Sequence, residues 1–140
     1  MAQWDLMQRP LAVTIVAGFL FAASFVAWLV GAALLYPTRL TDWLFTLNPA
    51  ARAGFEAMGW TAGVLLLALG CGTLAASAGL RRGRRWAWWF AVTLFVVNTA
   101  GDVIALVILR DWLRNGAGVL VGLVFLLALL EPRVKAYCRG

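Results

Sequence analysis

From Leu11 to Thr38 the chain carries no charged residue: LAVTIVAGFLFAASFVAWLVGAALLYPT, interrupted only at Pro37. A run this long and apolar exceeds the roughly 20 residues that a helix needs to cross the hydrocarbon core of a bilayer. Ala57 to Leu80 is also uncharged and closes on Arg81, and Trp86 to Leu109 holds a single charge, Asp102. Asn115 to Leu130 is a fourth and shorter apolar run, closed by Glu131-Pro132. It reaches span length by borrowing its ends, with Arg114 snorkelling outward. The expected fold is an all-α membrane protein. Four transmembrane helices, over about 11–36, 57–80, 86–109 and 115–131, form a bundle within a single domain, 1–140.

Composition agrees. The chain is 64% apolar and 13% charged, whereas soluble domains run near 45–50% and 25%. A soluble enzyme, a secreted disulfide scaffold and a disordered chain are excluded on that ground. There is no histidine, so the commonest metal ligand and general base is missing. Cys71 and Cys138 form no metal motif and read as unpaired thiols, one inside an apolar run and one in a basic tail. Neither a metal site nor a cofactor is expected. The first apolar run is too long for a signal-peptide core and reads as a retained span.

Lysine and arginine in the short loops set orientation. With four spans, Arg9, Arg81, Arg82, Arg84, Arg85, Arg133, Lys135 and Arg139 fall on one side, and Arg39, Arg52, Arg110 and Arg114 on the other. Eight against four puts both termini in the cytoplasm. The many arginines and alanines beside one lysine suggest a GC-rich bacterial genome, hence a bacterial inner membrane. The basic charge is explained by topology and by anionic headgroups, and nucleic acid is not an expected partner. Trp4, Trp43, Trp60, Trp86, Trp88, Trp89 and Trp112 all sit near predicted span ends, and only Trp28 lies inside one. That is the pattern of an interfacial aromatic belt, with Trp43, Trp86, Trp88 and Trp89 as anchors.

The long loop between the first two spans, Pro37 to Glu56, places Leu40, Trp43, Leu44 and Leu47 on one helical face. A short interfacial helix is expected there, capped by Thr41, supported by Asp42 and ended by Asn48-Pro49, with a second short turn leading into the next span. Lipid supplies no hydrophobic drive between helices, so close approach depends on small residues. Gly59-xxx-Gly63 and Gly118-xxx-Gly122 are the expected packing sites. Ala91, Asn98 and Ala105 make a small and polar stripe on the third span, with Asp102 close to it.

The one constellation with chemistry is Asn98 and Asp102, one helical turn apart. A carboxylate at membrane depth costs roughly 2.5–3.5 kcal/mol on insertion scales and needs a partner or a proton. Arg110, two turns on, and Arg52 and Arg114, near the outer ends of neighbouring spans, are the candidates for an ion pair. A second polar set, Thr14, Ser24, Thr61, Thr73 and Ser77, either lines a narrow path or bonds to its own helices' carbonyls. In size and helix count the chain looks like the small multidrug-resistance transporters. Those rely on a glutamate in the first span, where this chain has no charge, and no residue role carries over.

These features lead first to a non-enzymatic structural or accessory subunit, self-associated or part of a larger membrane complex. The alternatives are a proton- or cation-coupled transporter working through Asp102, and a lipid- or pigment-binding module using its tryptophans.

Overall fold

The computed structural model describes residues 9–36, 38–46 and 49–139. Trp4, Pro37, Leu47 and Asn48, and the side chains of Leu40, Thr41 and Leu44, lie outside the described residues. Every regular element among the described residues is an α-helix: α1 (Leu11–Leu35), α2 (Arg39–Thr46), α3 (Pro49–Met58), α4 (Trp60–Arg81), α5 (Arg85–Leu109), α6 (Trp112–Leu130) and α7 (Pro132–Tyr137). Four of these, α1, α4, α5 and α6, are long and apolar enough to cross a membrane.

Beyond shifts of one residue, the helices differ from the sequence expectation at four places, each for a local reason. The second span starts at Trp60 rather than Ala57, because Gly59 adopts a left-handed φ of 62° and separates α3 from α4. The expected turn before it is a full helix, α3, begun by Pro49, a residue suited to a first helical turn. The fourth span starts at Trp112 rather than Asn115. Asp111 caps it by accepting the Arg114 N–H at 3.3 Å, which brings α6 to 19 residues. In α2 the residue before the helix is Thr38, whose carbonyl accepts the Asp42 N–H at 3.2 Å, so Thr41 sits inside the helix instead of capping it.

The chain divides into two compact units, Leu20–Leu74 and a second made of residues 1–19 with Ala75–Gly140. In the first unit α1 and α4 approach closely at Gly31 and Gly63. A Cβ on either glycine would lie 3.0 Å from the other's carbonyl oxygen. Two turns further along α4, the Gly70 Cα faces the Trp28 indole. Ser24 donates to Phe21 O (2.6 Å) and Thr73 to Gly70 O (3.0 Å), so both hydroxyls serve their own helix. On α2 and α3, Arg52 bridges Asp42 (3.2 Å) and Glu56 (2.7 Å) and lies over the Phe45 ring.

In the second unit, Ser77 donates across to Ala17 O at 2.7 Å, the single member of the second polar set that bonds between helices. The turn RRGRR is closed by Arg84 N–H to Gly79 O (2.9 Å) and Gly83 N–H to Leu80 O (3.0 Å), with Gly83 at φ 67°. That is the bonding of a Schellman cap, whose left-handed position favours glycine. The C-terminal segment, expected as a basic tail, is ordered onto this turn. Tyr137 donates to Arg81 O at 2.7 Å, and Val134 and Cys138 are buried.

Candidate functional site at the seam of α5 and α6

Helices α5 and α6 are joined by two residues. Arg110 ends α5 in a left-handed conformation, φ 54°, donating its N–H to Leu106 O, and Asp111 starts α6. So short a turn makes the helices antiparallel neighbours, and they stay in contact along their length. Near the turn, the Asp102 carboxylate covers the Cα of Gly118; one turn deeper, the Thr99 hydroxyl covers the Cα of Gly122. A Cβ on either glycine would fall on those oxygens. Deeper still, Phe95 and Phe125 stack at 5.1 Å with Phe19 against both rings. At the far end the Trp88 indole N–H donates to Leu129 O at 2.8 Å. Ala87 and Ala91 fill the same end of α5 without exposed surface.

Gly118 and Gly122 therefore both face α5. Gly63 lies in the seam of α1 and α4, but Gly59 does not. It terminates a helix, and a Cβ there would meet nothing within 4 Å. Asn98 is exposed on α5, and the buried polar residue of the stripe is Thr99. One residue decides this. Ala91 and Asn98, seven residues apart, lie within about 20° of each other around the helix, but the buried face turns toward Phe95, and Thr99, four residues beyond Phe95, is the side chain that meets Gly122.

The ion pairs expected of Asp102 are not formed. Arg110 is exposed and serves as the helix cap, and Arg52 holds Asp42 and Glu56. Among the described residues Asp102 has no ion pair, and the Thr99 hydroxyl is a buried polar atom with no hydrogen-bond partner. Two oxygen-bearing side chains one turn apart thus stand at membrane depth against bare glycine backbone. Such groups are costly in hydrocarbon, and the arrangement offers oxygen ligands or a proton-accepting carboxylate without any nucleophile or acid–base pair beside it.

The anchors Trp43, Trp86 and Trp89 are exposed, and Trp88 is tied to α6. Trp86 also lies over Gly79 in the close contact of α4 with α5. Gly118 and Gly122 are expected packing residues from the sequence, whereas Thr99 and the pairing of each glycine with an oxygen-bearing side chain are seen only in the structure. The signal is two small residues one turn apart on the next span, Gly118 and Gly122, facing two polar residues one turn apart, Asp102 and Thr99. No protein-family model, curated protein or solved structure matches the chain.

Proposed function

We propose that this protein is a non-enzymatic membrane subunit that works by helix association, in a homo-oligomer or a larger membrane complex. The carrying observation is the outer surface of the α5–α6 hairpin. Only 11% of the most apolar stretch of each helix is buried, against 39% for α4. Val97, Ile104 and Ile108 on α5 and Leu120, Val124 and Leu127 on α6 point outward as large apolar side chains. The inner seam, by contrast, is taken up by glycines, rings and the Thr99–Asp102 pair. The basic residues, eight to four, support cytoplasmic termini, and the composition supports a bacterial inner membrane. The test is cross-linking in native membranes from single cysteines at Val124 and Leu120, in a chain with Cys71 and Cys138 replaced by alanine. A discrete adduct from these sites supports the reading. A monomer from both, at saturating cross-linker, overturns it.

The unpaired Asp102 favours a second reading, a small proton- or cation-coupled transporter. Removing its charge leaves no arginine orphaned, so Asp102→Asn is expected to fold as well as the parent under either reading. In proteoliposomes, loss of a proton-linked flux that the parent shows establishes the transporter. Equal fluxes exclude it.

A further inference from the structure

Where α5 begins, a cavity of about 240 Å³ is lined by Arg85, Trp88, Trp89, Lys135, Cys138 and Arg139. It is built by the ordered C-terminal segment: Tyr137 is fixed to the RRGRR turn, and this brings Lys135 and Arg139 to the side of α5 that carries Arg85. Three cations therefore line one cavity with no carboxylate among its walls. None of the three forms an ion pair among the described residues. Glu131, which starts α7, is not in the lining. Three like charges gathered around one cavity repel one another, and an anion between them offsets that repulsion.

Depth selects the anion. Arg85 is the first residue of a membrane-length helix, and Trp88 and Trp89 are the next turn. Tryptophans at a span end mark the headgroup level, where the ring meets hydrocarbon and the cations meet phosphate. Trp88 is committed to Leu129 O, whereas the Trp89 indole N–H has no acceptor among the described residues and its ring is half exposed. We propose that this cavity binds the phosphate of an anionic phospholipid, with Arg85, Lys135 and Arg139 as the cationic wall and Trp88 and Trp89 as the apolar flank that receives the glycerol and upper acyl chain. The assignment is independent of whether the chain acts as a subunit or as a transporter. It separates a defined site from the diffuse attraction that any basic loop has for an anionic leaflet.

The experiment is native mass spectrometry of the full chain released from mild detergent, titrated with phosphatidylglycerol, with phosphatidylcholine of the same chains, and with inorganic phosphate. One phosphatidylglycerol per chain should be retained in preference to phosphatidylcholine. Each cation removed should lower that preference about fivefold, the equivalent of one surface basic residue. Arg85→Gln/Lys135→Gln/Arg139→Gln should therefore abolish it, while Arg39→Gln/Arg110→Gln/Arg114→Gln, with the same net charge, should retain it. Single Lys135→Gln guards against a folding defect in the triple variant, because it alone should show the fivefold step. Equal losses in both triple variants would mean diffuse charge attraction and overturn the site. Retention of inorganic phosphate as strong as that of the lipid would overturn the lipid assignment.

Discussion

Gly31 and Gly63 meet backbone to backbone: each holds its carbonyl oxygen only 3.0 Å from where the other's Cβ would stand. Neither oxygen can rotate away, unlike the end of a long side chain. Gly31→Ala or Gly63→Ala should therefore push α1 and α4 apart and cost about 1–3 kcal/mol, the usual range for overpacking. Thermal unfolding in mild detergent measures it. Gly101→Ala, where a Cβ meets nothing within 4 Å, should leave the midpoint unchanged or raise it.

The Thr99–Gly122 contact should behave as a coupled pair. Gly122→Ala alone places a methyl on the Thr99 hydroxyl and should destabilise by about 1–3 kcal/mol. Thr99→Ala alone removes an unpartnered buried oxygen and should be nearly neutral. The double variant should recover most of the loss, with a coupling energy within about 0.5–3 kcal/mol in a double-mutant cycle. Strict additivity would mean that α5 and α6 do not meet at these two residues.

The two thiols should differ in reactivity. Cys138 is buried beneath the C-terminal turn, and burial pushes its thiol above the usual range, while Cys71 is exposed. A raised thiol value favours the neutral form in the folded chain. This contribution to stability is complete below the unfolded thiol's value and is lost as pH rises through the folded one. In a Cys71→Ala chain, Cys138 should react slowly with a thiol reagent near pH 8 and quickly after denaturation. A Tyr137→Phe substitution, which removes the bond to Arg81 O, should speed the folded-state reaction.

Arg52 ties α2 to α3 through Asp42 and Glu56, and the Glu56 hydrogen bond is the main reason its guanidinium holds its proton more tightly than usual. All three groups are exposed, so the bridge should contribute little to global stability. Arg52→Gln should leave the unfolding midpoint in place and speed amide exchange in residues 39–58. The effect should be largest at low salt, where exposed charges are least screened.

Reporter fusions after Gly83 and at the C-terminus should signal cytoplasm, and a fusion in α3 should signal the opposite side. An outside signal from Gly83 would reverse the orientation drawn from the basic residues.

The long uncharged runs made the four spans legible, because few structures other than a membrane helix can hide so much apolar sequence. The amphipathic α2 was visible in the spacing of its large side chains. What the sequence hid was local geometry that depends on partners. Asp111 as a cap lies outside the apolar run it begins. Gly59 looks like a packing glycine until its φ shows a helix end. Thr99 and Asn98 are adjacent, and only the contact with Gly122 of α6 tells which of the two turns inward. Arg110 is close enough in sequence to Asp102 to suggest an ion pair, but the Asp102 carboxylate is turned onto Gly118 of α6 while Arg110 is exposed at the helix end.

That turn also bears on how the chain is made. Because only Arg110 and Asp111 separate α5 from α6, the two helices have almost no loop to close before they meet. They are suited to entering the bilayer as one hairpin during synthesis. Asp102, eight residues before the turn, and Gly118, seven after it, then come together early in that insertion. The lone carboxylate is covered by a neighbouring helix instead of crossing lipid on its own.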